Sequence, residues 1–191
     1  MPLAITSVIE TPRLKLRLVR ETDLTDLMAV NGDDLVTRHL PYATWQSMAD
    51  AQAWFERMQR LQAPGTAQQC VVIRKEDHRV IGSCLLFRYE EGSARAELGY
   101  VLGRAHWGQG LMREALSGLI AHAFSDLALR RLEAEVNPAN HASVKLLERL
   151  GFVREGLLRK RWVAKGEAYD VEIFGLLKGE LRLNSTPSPM G

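Results

Sequence analysis

The chain of 191 residues carries only two cysteines, Cys70 and Cys84, too few for a disulfide framework. That scarcity points to a reducing cytosol. There is no Cys-x-x-Cys, and histidines 39, 78, 106, 122 and 141 fall at no metal-ligand spacing, so no metal is expected. Also missing is any apolar stretch near the roughly 20 residues that cross a bilayer. Met1 to Thr6 has no basic region followed by an apolar core, so no secretory signal is expected, and the expected location is cytoplasmic. Neither sign of charge dominates: 25 Lys and Arg against 23 Asp and Glu leave +2, interspersed without a block. That balance argues against direct nucleic-acid binding or membrane attachment as the main activity. What the chain does have is 46% hydrophobic residues, enough for one full core, with no repeat or linker to divide it.

Periodicity lays out the elements. Arg13 to Val19 alternates strictly as a strand, leucines inward and basic residues outward. Thr22-Asp23 opens a short helix with Leu24, Leu27 and Met28 at helical spacing, and residues 32–46 read as irregular. Ser47 and Asp50 form a capping box for a helix to about Leu61, striped by Ala53, Trp54, Met58 and Leu61 and ended by Pro64-Gly65. Strands from Gln69 to Arg74 and from Arg79 to Phe87 flank a charged turn. If they pair as a simple hairpin, Cys70 and Cys84 face each other as two small buried apolar side chains.

A strand ending at Leu102 comes next, followed by a helix from about Leu111 to Leu127 with Met112, Leu116, Leu119, Ala123 and Leu127 along one face. Arg131 to Val136 is a strand, and His141 to Leu150 is a helix stopped by Gly151. Residues 152–163 and 168–177 are two closing strands around Lys165-Gly166-Glu167. Residues 184–191 read as a disordered tail behind a single domain over 1–183.

Between the strand ending at Leu102 and its helix stands Arg104-Ala105-His106-Trp107-Gly108-Gln109-Gly110-Leu111-Met112-Arg113. Two glycines one residue apart permit tight backbone geometry and leave amide N–H groups uncovered. Those amides lie at a helix start, where unpaired donors and the dipole favour a phosphate. No Lys-Ser or Lys-Thr follows the glycines, Arg113 stands where a dinucleotide fingerprint needs a third glycine, and kinase signatures are missing.

Trp107-Gly108-Gln109-Gly110-Leu111-Met112-x-Glu114-Ala115-Leu116, then Asn137-Pro138-x-Asn140-x-x-Ser143-x-x-Leu146-Leu147-Glu148-x-Leu150-Gly151-Phe152, resembles the GNAT superfamily of N-acetyltransferases. The second block is most similar to the branch of ribosomal-protein N-terminal acetyltransferases, and the likeness spans about residues 10 to 178. It implies an α/β (α+β) acyl-CoA N-acyltransferase fold: a mixed, mostly antiparallel sheet of six or seven strands flanked by about four helices. It also implies that the strand ending at Leu102 splays from its neighbour. The pantetheine of acetyl-CoA would fill the gap near Val101 and Leu102, with its pyrophosphate on amides of Trp107, Gly108, Gln109, Gly110, Leu111 and Met112. One position departs from the family pattern. Ala105 stands where Gln or Arg is favoured three residues before the first glycine, so the loop would bind through its backbone. Whether Arg104 reaches the phosphates stays open.

The same resemblance assigns the chemistry. Ser143 would protonate the departing thiolate, and Asn140 would contact the pantetheine arm or phosphate while capping its helix. Glu97 would be the general base, with a surface pair to Arg95 as the alternative. Asp170 would order the final hairpin. Tyr100 shares a face with Leu98 and Leu102 and reads as core. An α-amine with a pKa near 7.8 is roughly a quarter to a third deprotonated at pH 7.4, whereas lysine is at about 0.1%. Because no base is unmistakable in the sequence, an α-amine or a small-molecule amine is favoured over lysine. The expected acceptor is a protein N-terminus. Small-molecule amines (amino acid, polyamine or antibiotic) and a non-catalytic acyl-CoA-binding regulatory module stay as alternatives. Pro41, Tyr42 and Trp45 either line the acceptor pocket or cover the core, and oligomerisation is open.

Overall fold

The computed structural model describes residues 3–181. The expected tail over 184–191 and the ends of the expected domain, Met1-Pro2 and residues 182–183, lie outside the described residues. Eight strands form one sheet in the order β1-β2-β3-β4-β5-β6-β8-β7. They are β1 (Ile9–Glu10), β2 (Leu14–Leu18), β3 (Gln68–Arg74), β4 (Val80–Glu90), β5 (Arg95–Leu102), β6 (Arg131–Val136), β7 (Val153–Ala164) and β8 (Glu167–Leu177). Five α-helices accompany them: α1 (Leu24–Asn31), α2 (Asp34–Thr37), α3 (Met48–Gln62), α4 (Leu111–Ser125) and α5 (His141–Arg149). All neighbouring strands run antiparallel except β5 and β6. The expected architecture stands, with β1 and α2 added to it; both are too short to leave a periodic signature.

Alternation along β5 and β6 delivers side chains to two faces. On one face α4 buries Leu111, Met112, Ala115, Leu116, Leu119, Ile120, Ala123 and Phe124 over Leu98, Leu132, Ala134 and Phe174. On the other, α1 and α3 pack Leu24, Leu27 and Phe55, with Trp45 from the segment before α3, over Val71 and Val80. The α3 stripe is a correction. Ala51, Phe55 and Met58 are buried, whereas Ala53 and Leu61 are exposed and Trp54 is half-covered against Trp45. Phe55 follows Ala51 by four residues and precedes Met58 by three, which is the same helical period as the expected stripe rotated by one position. Trp45 is core, Tyr42 donates to Asn31 Oδ1 (2.9 Å), and Pro41 is exposed.

Cys70 and Cys84 are direct partners in the β3–β4 register, both buried and free. Burial pushes the Cys70 thiol up to about 12 and Cys84 well above its usual range, so both stay protonated and inert. The Ser47–Asp50 capping box forms, the Ser47 N–H donating to Asp50 Oδ2 at 2.9 Å. No helix among the described residues is long and apolar enough to cross a membrane.

Candidate active site

The parallel pairing of β5 with β6 covers only Arg95–Arg131, Ala96–Leu132 and Glu97–Glu133. Beyond Glu97 the two strands part, and β5 runs on to Leu102 beside an open gap. The direction of its backbone groups follows from one hydrogen bond. Gly103 N–H donates to the Ile81 carbonyl at 2.8 Å, toward β4. In a trans peptide the Leu102 carbonyl must then point the other way, into the gap. Strand alternation turns the polar groups of Leu98 and Tyr100 to the same side. Val101 faces β4 instead, with its carbonyl so close over Gly82 that a Cβ there would lie 2.3 Å from it. On this geometry we propose Tyr100 and Leu102, in place of the expected Val101, as the backbone partners of pantetheine. At the mouth of the gap, Trp107 Nε1 donates to the Leu102 carbonyl (2.8 Å).

The glycine loop continues from that mouth. Gly108 and Gly110 both have φ of +73°, in the left-handed region, and Gly110 is the N-cap of α4. Arg13 donates from Nη1 to the Gln109 carbonyl (3.1 Å) and is itself tied to Glu114, Nε to Oε2 at 2.6 Å. With the Gln109 carbonyl held on that side, the Gly110 N–H points to the opposite one. The first amides of α4 add unpaired donors. A Cβ on Gly108 would meet nothing within 4 Å, so the loop faces open space. Gln109 donates from Nε2 to the Ala105 carbonyl (2.9 Å), bracing the loop. Arg104 pairs through Nε with Asp33 Oδ2 (2.9 Å), on the side of α1 and α2.

Free edge amides and a left-handed double-glycine cradle fit the pantetheine and pyrophosphate of acetyl-CoA. Tyr100, Leu102, Gly108, Gly110 and the first turn of α4 would hold it. Gly110→Ala is expected to weaken acetyl-CoA binding by about tenfold in calorimetry, because the left-handed backbone costs a residue with a Cβ roughly 1–2 kcal/mol. For Gln109→Ala, which removes only an exposed brace, a change below about threefold is expected; a large loss would mean that side chains rather than amides grip the phosphates.

Across the gap from β5, the turn Asn137–Asn140 launches α5. Asn140 caps it, its side chain accepting from the Ser143 N–H at 3.2 Å. That geometry sets Ser143 Oγ 2.6 Å from the Tyr100 hydroxyl. The pair joins the two walls of the gap. Burial pushes the Tyr100 phenol up to about 12, so it keeps its proton at neutral pH. Expected core from its periodicity, Tyr100 packs there with its ring and presents its hydroxyl to the site. Its sequence signal is the polar tip alone, which alternation does not score.

Glu97 emerges on the other face of β5, at the apex where the strands part, and is 5% exposed. The structure does not bring it to Ser143; the two flank the gap from opposite sides of the sheet. Its partner is Arg88, not the Arg95 of the alternative reading. Arg88 Nη1 lies 2.9 and 2.8 Å from the two Glu97 oxygens and 3.5 Å from Glu135 Oε1. Arg95 pairs with Glu90 and Glu133 (2.8 and 2.9 Å). Trp162 on β7 donates its indole N–H to Glu135. Burial raises the Glu97 carboxyl above its usual range, Arg88 opposes this and Glu135 adds to it. A buried carboxylate with a raised pKa suits proton abstraction near neutral pH. Asp170 accepts from the Lys160 N–H (2.9 Å), fixing an irregularity in β7.

Comparison with known proteins agrees with this geometry. A family profile described as the acetyltransferase (GNAT) domain matches residues 13–153. The uncharacterized N-acetyltransferase p20 of Bacillus licheniformis is 39% identical over 170 residues, covering 89% of this chain and 96% of p20. The ribosomal-protein-serine acetyltransferase of Escherichia coli is 29% identical over 129 residues, 68% of this chain and 71% of the relative. Spermidine N-acetyltransferase from Vibrio cholerae, solved with CoA and spermine, shares the fold at a TM-score of 0.78 and 21% identity, over 89% and 98% of the two chains. The splayed strands, the glycine cradle and these matches lead to one conclusion: the chain belongs to the GNAT acetyltransferase family and is an acetyl-CoA-dependent N-acetyltransferase.

Proposed function

We propose that this enzyme acetylates the N-terminal α-amine of a protein, in a ternary complex with acetyl-CoA. The observation that carries the mechanism is the gap itself, with the Tyr100–Ser143 pair on one side and buried Glu97 on the other. Acetyl-CoA supplies an activated thioester acyl group there. Glu97, directly or through water, takes the proton of the entering ammonium and frees the amine lone pair. With the Tyr100 hydroxyl donating to Ser143 Oγ, the serine's own hydrogen is left to donate to the departing sulfur. Backbone N–H groups of β5 orient the arm. The site works in a reducing cytoplasm, in keeping with the two unbridged cysteines.

The buried, tuned Glu97 removes the premise that no base is available, so ease of deprotonation no longer favours an α-amine. Support for a protein terminus comes from the likeness to the ribosomal-protein-serine acetyltransferase. A second reading, a polyamine or another small cationic amine, is favoured by the Glu97 and Glu135 carboxylates meeting at Arg88 beside Trp162. CoA release measured by thiol titration over peptides, polyamines, amino acids and aminoglycosides separates the two. Peptides with a free N-terminus should turn over with kcat/KM at least about 10²-fold above the small amines, a gap of about 2.7 kcal/mol. Equal or better turnover of polyamines would move the assignment to them, and no release with any amine would leave a binding module.

A further inference from the structure

The Glu97 carboxylate is buried and has a second carboxylate, Glu135, close by. Its own burial and the neighbouring Glu135 carboxylate both oppose ionisation of Glu97, and a cation beside it favours ionisation. Every charged group facing Glu97 is accounted for on the neighbouring strands. Arg88 comes from β4, while Glu133 and Glu135 come from β6. Arg95 on β5 is committed to Glu90 and Glu133, and Arg131 to Glu133 and Glu155. Arg161 on β7 reaches Glu135 alone, at 3.8 Å, and the Tyr169 phenol on β8 senses Glu135. Among the described residues, Arg88 is the cation that contacts Glu97.

The backbone is bent to put it there. Between Phe87 and Glu90 the register of β4 shifts against β5, and Arg88 itself has φ of +50°, a conformation rare for a residue with a Cβ. Its guanidinium lies 5.5 Å from the Phe87 ring and 5.4 Å from the Trp162 ring. Trp162 is aimed by a second irregularity, between Leu158 and Trp162 in β7, where Lys160 also has φ of +50° and is pinned by Asp170. Two strands thus accept left-handed residues to bring one guanidinium and one indole onto Glu97 and Glu135. Strain of that kind, at separate points converging on one pair of side chains, marks a functional arrangement rather than a passing surface ion pair.

We infer that Arg88 is a positioning residue for the reaction: with its guanidinium over the Phe87 and Trp162 rings, it keeps the buried Glu97 an anion at the apex where β5 and β6 part. The inference rests on Glu97 being the base. Removing the cation favours the protonated acid, so the base functions only at higher pH and the acid limb of the rate profile moves up.

The test is the pH dependence of kcat/KM for the parent enzyme, Glu97→Gln, Arg88→Met and Arg88→Lys, with acetyl-CoA affinity by calorimetry as the check on folding. Arg88→Met should lose at least about tenfold at pH 7, recover as pH rises, and bind acetyl-CoA within about twofold of the parent; Arg88→Lys should restore most of the activity at pH 7. Arg88→Gln replaces Arg88→Met if the latter does not fold. If Glu97→Gln abolishes the acid limb while both neutral Arg88 variants leave it in place, Arg88 is merely structural and the inference falls. A lower acceptor KM with an unmoved limb would show Arg88 to be an occupant of the acceptor's place, and would also overturn it. If Glu97→Gln keeps the limb, the base assignment itself fails, which is a different result from the first.

Discussion

Ser143→Ala is expected to lower kcat by on the order of 10²-fold while leaving acetyl-CoA affinity within about twofold, since general acid catalysis contributes about 10²–10⁴-fold. The reason is local. Asn140 holds the Ser143 amide, Tyr100 holds its oxygen, and neither contact depends on the cofactor. Removing the hydroxyl would therefore delete the proposed proton donor without disturbing the amides proposed to bind the arm. Tyr100→Phe is the informative companion. It keeps the ring in the core and loses one hydrogen bond, so a loss on the order of tenfold in kcat is expected, about the 1–1.5 kcal/mol of one such bond. In the double variant the two losses should fall short of multiplying, because the tyrosine acts through the serine. Rapid-quench measurement of the acetyl-transfer step, rather than steady-state kcat alone, guards against slow product release hiding the effect. An undiminished transfer rate in Ser143→Ala would take the serine out of the mechanism.

The second large effect concerns the base. For Glu97→Gln, kcat/KM at pH 7 should drop by on the order of 10²-fold, and the dependence on pH below neutrality should flatten. Burial raises the Glu97 carboxyl above the usual carboxylate range. A carboxylic acid with a raised pKa loses its proton later as pH rises, so parental activity should climb through a pH region above the ordinary glutamate value. In the variant no group titrates at that point. What dependence remains belongs to the acceptor amine, whose free-base fraction grows toward its own pKa. Acceptors of different amine pKa separate the two contributions: the limb assigned to Glu97 stays fixed while the amine limb moves. A Gln variant with a parental profile would reduce Glu97 to a structural ion pair.

Much of this was readable before any coordinates, because the signals are local. Strict alternation in Arg13 to Val19 and Arg131 to Val136, the Ser47–Asp50 box and Gly151 all depend on neighbours a few residues away. Their elements appear within a residue or two of expectation. The glycines of the loop were legible for the same reason: a left-handed backbone asks for glycine. What stayed hidden depends on register between distant strands. No pattern announces that β5 and β6 pair for only three residues, since nothing in Leu98 to Leu102 differs from an ordinary strand. The partner of Glu97 is hidden for the same reason: Arg95 is its neighbour on the same face, whereas Arg88 arrives from another strand through a left-handed residue that is not glycine. Sequence rules treat such a conformation as an exception. The α3 stripe fails differently: two overlapping sets of apolar residues share one period, and the partners from α1, β3, β4 and Trp45 set which is buried.

The two sides of the gap differ in what they are made of, and this bears on how the enzyme tolerates change. On the side we assign to the cofactor, the grip would come from main-chain N–H groups of β5 and the glycine turn, which every residue except proline supplies. Away from the left-handed Gly108 and Gly110, substitutions there alter packing before they alter recognition, so the rest of this half of the site is robust to mutation. On the side we assign to the acceptor, the groups are side chains from separate strands: Arg88 on β4, Glu97 on β5, Glu135 on β6 and Trp162 on β7. Any one of them can be exchanged without breaking a ladder. A scaffold divided in this way can hold one acyl donor constant while its choice of amine drifts.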